Sequence, residues 1–176
     1  MAENRAGFGF ALKSGAPIAM TDEATRLIVF ALDELRYALH LAAVDRVVEA
    51  VEITPLPGAP GVVHGVINIG GQIVAAVDIR RRLHLPEREI QVSDQMILAR
   101  TPNRPVAILV DTVVGLLECA GREIVQAESI VPGVEHIEGI VKLEDGIMLI
   151  HDLDKFLSLD EERLLDEAIL ARGSRS

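Results

Sequence analysis

The sequence predicts a mainly β, internally duplicated fold, and three observations carry that expectation. Ten short apolar runs rich in β-branched residues recur along the 176 residues. Turn-forming sequences separate them. Two ungapped self-matches then order the runs into halves: residues 26–49 lie over 95–118 at an offset of 69, and Gly65–Leu83 lies over Gly139–Leu157 at an offset of 74. Each half holds about five strands and is too small to bury much alone, so the two are expected to pack on a shared apolar core as a sandwich or as barrels.

In the first half the runs Leu27–Leu32 and Tyr37–Leu41 flank the turn Asp33-Glu34, and Val44–Val48 follows. The turn-rich stretch Pro55–Gly61 leads to Val62–Ile69 and Ile73–Ile79, which flank Gly70-Gly71. In the second half Met96–Ala99 and Val106–Val110 flank Pro102–Pro105, and Val113–Leu117 follows. Ile137–Leu143 and Ile147–Ile150 then flank Asp145-Gly146. Asp78 and Asp152 each leave a strand ahead of a short charged segment, which suits the N-cap of a single helical turn. One longer helix is expected at the end: Ser158 and Glu161 form a capping-box pair, Leu164, Leu165, Ala168 and Ile169 give its buried stripe, and Gly173 stops it. Residues 1–24 read as a flexible extension, and 25–172 as a single domain of two intertwined halves.

Composition narrows the function. A formal charge of −10 repels phosphate backbones, and Phe8, Phe10, Phe30, Tyr37 and Phe156 are the only aromatics, so nucleic acid is not an expected partner. The basic knot Arg80, Arg81, Arg82 and Arg88 is too short to reverse that balance; it reads as a solvated face of one helical turn, or else as a dock for an acidic partner. No apolar run approaches the roughly 18 residues of a membrane helix, and a lone Cys119 suits a reducing compartment, so a cytoplasmic chain without membrane insertion is expected.

No catalytic, cofactor or metal residues are expected. Two matching aspartates in a duplicated β protein suggest aspartic-protease chemistry, but Asp78 and Asp152 lack the Asp-Thr/Ser-Gly turn. His40, His64, His84, His136 and His151 are scattered without metal-ligand spacing and read as surface or half-buried strand residues. Cys119 reads as a buried, inert thiol. Without a convergent polar cluster, the working surface is expected to be strand edges, grooves and apolar patches.

The segment from Gly65 through Asn68, Gly71 and Val77-Asp78 to Arg80 resembles the CheW-like chemotaxis coupling proteins, whose pattern runs Gly-Val-x-Asn-Leu-Arg-Gly, then x-Ile/Val-Val-Pro-x-Val-Asp-Leu-Arg. The likeness extends over about residues 25–170, taking in Val29–Leu32, Tyr37-Ala38, Pro60, Val110–Val113 and the ending at Leu157. The resemblance implies a pair of five-stranded SH3-like β-barrels. It also implies a non-enzymatic adaptor, or scaffold, that couples methyl-accepting chemoreceptors to the regulatory domain of a histidine kinase. The receptor's helical tip would lie in an apolar groove, where Val44, Ile69, Val113 and Leu116 match the family's contact positions. Here Gly70 replaces the family's Arg, and Arg46 replaces an acidic residue with which that Arg can pair; either Arg46 supplies the positive charge of the rim from the opposite side, or the partner is a divergent receptor. Asn68 and Gly70 have no counterpart in the second copy, where Lys142 and Glu144 stand, so function is sought there. The alternative is a divergent array filler, or an interaction module of another sensory system such as pili or surface sensing, that binds receptors without activating kinase. Free β edges make self-association an option for either.

Overall fold

The computed structural model describes residues 24–127 and 136–174, so the expected N-terminal extension lies outside the described residues apart from Ala24, which opens the first strand. Among the described residues eleven strands form: β1 (Ala24–Leu32), β2 (Leu35–His40), β3 (Val44–Glu49), β4 (Val63–Ile69), β5 (Gln72–Asp78), β6 (Gln95–Arg100), β7 (Pro105–Val110), β8 (Thr112–Ala120), β9 (Ile124–Gln126), β10 (Ile137–Leu143) and β11 (Gly146–His151). All ten apolar runs lie in or across strands. The eleventh strand, β9, spans only three residues, too short to show an alternating pattern.

Two compact units divide the chain, which crosses between them after Val44, Val110 and Leu153. The first unit contains a six-stranded sheet in the order β8-β1-β2-β11-β10-β9, and the second a five-stranded sheet in the order β3-β6-β7-β5-β4. Neither unit is a sequence half. Each repeat contributes its first hairpin to the sheet of the other repeat, and parallel pairs join the contributions: Leu149 opposite Tyr37 between β11 and β2, Ala75 opposite Val106 between β5 and β7. Shifting Ala75 by 74 and Val106 back by 69 gives that first pair, so the duplication extends to strand register. Parallel neighbours need long crossovers, and here the stretch from α1 (Ile79–Arg82) through β6 provides one.

Each sheet buries one alternating set of residues in its own core. In the six-stranded unit these include Leu27, Val29, Ala38, Leu117, Met148 and Ile150. In the five-stranded unit they include Ile67, Val74, Ala76, Met96, Leu98 and Leu109. The strand pairings close neither sheet into a ring among the described residues, so the expected equal barrels are realised as open sheets of six and five strands.

The turns follow their chemistry with two refinements. At β4–β5, Ile69 faces Gln72, leaving Gly70 (φ 58°) and Gly71 (φ 90°) as the turn residues, the positive-φ pair of a type I′ hairpin. At β10–β11, Leu143 faces Gly146, so the turn is Glu144-Asp145, one residue earlier than expected, with Gly146 opening β11 at φ 149°. Asp33 holds φ 55° in the β1–β2 turn, where the Asp33 amide donates to Asp111 Oδ2 at 2.6 Å.

The helical expectations hold in outline. Asp78 caps α1, its Oδ1 accepting from the Arg80 amide at 3.0 Å. A 3-10 turn, Leu153–Lys155, follows Asp152. The C-terminal helix α2 (Leu159–Ser174) has its capping box, with the Ser158 amide donating to Glu161 Oε2 and the Glu161 amide to Ser158 Oγ. Gly173 does not stop α2, which runs one residue further. Its buried stripe also differs: Leu165 and Ala168 are buried but Leu164 is exposed, and Glu162 takes a buried place because Arg104 Nε donates to it at 2.6 Å.

Candidate interaction surface

The positions singled out from the sequence fall on three strands and one turn. Arg46 is exposed on β3, while Asn68 and Ile69 end β4 and Gly70 begins the following turn, all in the five-stranded unit. Val113 and Leu116 lie on β8 in the six-stranded unit, and Val44 is the last residue of that unit before the chain crosses. Their environments differ. Ile69 packs against its unit's core, Val44 and Val113 are half-buried, and Leu116 is 44% exposed opposite Ile28.

Arg46 and Gly70 are not brought together by pairing, because β3 and β4 are the two end strands of the five-stranded order. Asp45, beside Arg46, accepts from Arg100 Nε at 3.2 Å, which leaves Arg46 without an ion pair among the described residues. Asn68 has a local task that the sequence reading missed: its Oδ1 accepts from the Gly71 amide at 2.8 Å and braces the turn. Asn two residues ahead of a Gly-Gly turn was the available signal. The absence of Asn68 and Gly70 from the second copy is thereby explained, since Glu144 and Asp145 form their turn without positive φ.

The arginine knot is neither a solvated face nor a dock. Arg80 is buried, and its Nη1 donates to the Pro86 carbonyl at 3.1 Å. Arg81 donates to the Gly61 carbonyl at 2.6 Å and to Glu87 at 3.2 Å, Arg82 pairs with Glu161 of α2, and Arg88 clamps Asp94 at 2.8 and 3.1 Å. These cations fasten the segment after β5 and the foot of α2. Their partners lie far along the chain or in turns, where sequence proximity gave no sign of them.

Nothing among the described residues groups three or more His, Cys, Asp or Glu side chains as a metal site would require. His40 Nε2 lies 2.8 Å from Glu138 across the six-stranded sheet, and His64 Nδ1 stands 3.6 Å from Asp78. Three histidines depart from the expected strand setting: His151 is fully buried, exposed His84 occupies a turn at φ 56°, and half-buried His136 lies in a bend ahead of β10. Burial, with a smaller contribution from nearby Glu123, pushes the Cys119 thiol up to about 11, so it stays protonated and weakly nucleophilic at neutral pH. An open cavity of about 640 Å³ in the five-stranded unit is lined by Pro55, Pro57, Ile73 and the end of α2.

The model of the CheW-like domain family matches residues 26–161, spanning strands of both units. The chain belongs to the CheW-like family. Among CheW-like relatives it is similar to the chemotaxis protein CheW of Bacillus subtilis, 29% identical over 143 residues that cover 78% of this chain and 90% of that one. It is also similar to CheW of Thermotoga maritima, 29% identical over 131 residues covering 74% and 86%. The crystal structure of the scaffolding protein TtCheW from Thermoanaerobacter tengcongensis superposes with a TM-score of 0.72 at 24% identity, covering 79% of this chain and 96% of that one; the CheW-like fold is therefore shared. No described helix is long and apolar enough to cross a membrane.

Proposed function

We propose that this CheW-like chain is a non-enzymatic adaptor that couples methyl-accepting chemoreceptors to a histidine kinase in chemotaxis-type signalling. The observation that carries this reading is the CheW-like match over 26–161, supported by relatives named as chemotaxis proteins and a fold shared with a scaffolding protein. The chain acts in the cytoplasm, at receptor arrays on the inner face of the membrane. Its receptor contacts are Val44, Ile69, Val113 and Leu116, aliphatic residues able to take the apolar stripe of a helical receptor tip. Arg46, two residues after Val44, supplies a positive charge in place of the family's arginine at position 70.

A pull-down with a receptor cytoplasmic-tip fragment and the kinase tests the reading: an adaptor retains both, whereas a filler retains the receptor alone. Leu116→Asp, at an exposed position, is expected to weaken receptor-tip binding at least tenfold while leaving the melting temperature within a degree or two. Arg46→Glu combined with Gly70→Arg restores the family's two charged residues; weaker binding to the native receptor is the expected result, and improved binding would sink the rewired rim. An arginine has open space at position 70, but at φ 58° it carries a strain of about 1–2 kcal/mol, so binding must be normalised to the folded fraction.

A further inference from the structure

The duplication invites comparison of corresponding surfaces. On the five-stranded unit, Ile73 of β5 stands beside Arg104, the residue just before β7, by extension of the parallel register that pairs Ala75 with Val106. The helix α2 meets this place. Ile73, itself 50% exposed, lines the open cavity with Ala168 and Ile169, while Arg104 donates to Glu162 and pairs with Asp166. Position 104 is basic and the helix that meets it is acidic.

The corresponding place on the six-stranded unit is Ile147 of β11 beside Leu35 of β2, at the same two offsets. Among the described residues this unit has no α-helix, and Leu35 and Ile147 are 51% and 56% exposed. Register extends the apolar face outward, because Leu149 lies opposite Ile140, and Ile140 opposite Val125, on the same side of the sheet. Val125 is exposed and the other two are half-buried. Their counterparts Ala75 and Val66 in the five-stranded unit are buried.

The charge around the bare face has the opposite character. Leu35 replaces the cation that holds α2, and two exposed acidic turns, Asp33-Glu34 and Glu144-Asp145, adjoin Leu35 and Ile147. Arg36 pairs with Asp145 and Lys142 stands opposite Ile147, but carboxylates remain in excess. An acidic helix such as α2 of a second copy would find no cation at Leu35 and like charge at the turns.

We propose that the face formed by Leu35, Ile147, Leu149, Ile140 and Val125 is a docking surface for a partner protein's amphipathic helix, with an aliphatic stripe flanked by lysine or arginine. It lies on the same face of the six-stranded sheet as Val113 and Leu116 but on other strands, with buried Phe30 and Tyr37 between them. The test uses two synthetic helical peptides of one leucine stripe, flanked by lysine in one and glutamate in the other, titrated against the full chain by fluorescence anisotropy. The lysine peptide is expected to bind at least tenfold tighter. Ile147→Asp is expected to abolish that binding without shifting the melting temperature, and Leu35→Arg, which reproduces position 104, to move the preference toward the glutamate peptide. Equal binding of both peptides, or lysine-peptide binding that survives Ile147→Asp, would overturn the proposal. So would self-association of the chain that Ile147→Asp abolishes, which would make a second copy the occupant.

Discussion

Gly70 and Gly71 meet a geometric demand that no other residue type meets without cost. Gly70→Ala places a side chain at φ 58° in open space, so strain alone acts and a loss of about 1–2 kcal/mol is expected, measured by urea unfolding. Gly65 and its counterpart Gly139 serve a different need. A Cβ on Gly65 would stand 2.3 Å from the Thr54 carbonyl oxygen, and one on Gly139 would stand 2.5 Å from Ile124. Gly65→Ala is expected to cost about 1–3 kcal/mol or more, since backbone must move. At this scale the repeat was informative: glycine shared by both copies marks a close approach, and glycine in one copy marks a turn specific to it. Cys119 adds a pH effect. Its thiol titrates at about 11 when folded, above its ordinary value of 9.0, so the folded state holds its proton more tightly. Stability is unaffected below pH 9 and falls as pH rises from there toward 11; Cys119→Ser, with no thiol to titrate in that range, is expected to flatten this part of a stability–pH curve. Thiol-reactive reagents at pH 7 should label Cys119 only after unfolding.

At the scale of elements, the strands were legible because alternation and β-branching act locally, whereas their partnership was not. The offsets order strands within each copy, but only the parallel pairs β2–β11 and β5–β7 show that the first hairpins are exchanged between sheets. Helix α2 shows the same limit. Its capping box lies within four residues and could be read, yet the burial of Glu162 depends on Arg104, 58 residues away. Burial alone disfavours the Arg104 cation, but hydrogen bonds to Asp166 and Glu162 outweigh it and hold its pKa above the usual value. Arg104→Ala is expected to leave Glu162 buried without its cation, at about 3–5 kcal/mol. Hydrogen exchange should then quicken across α2 before it does in β6 and β7. A double change to methionine at 104 and 162 should recover much of the loss, because no charge is stranded.

For the whole molecule, the CheW-like match spans strands of both units, and it is this match that supports the proposal of binding as the chain's work. The seven positions singled out from the sequence divide between those units. Asn68 and Gly70 shape a hairpin, and the proposed recognition is assigned to Arg46 and the aliphatic positions. That division could not be read beforehand, because a fingerprint preserves turn residues and contact residues alike. The most direct test of coupling is kinase autophosphorylation in a reconstituted mixture of receptor cytoplasmic fragments, kinase and this chain. Kinase activity is expected to rise severalfold only when all three are present, and Leu116→Asp is expected to remove the rise. A kinase rate unchanged by the wild-type chain, with receptor fragments still bound to it, would contradict the account.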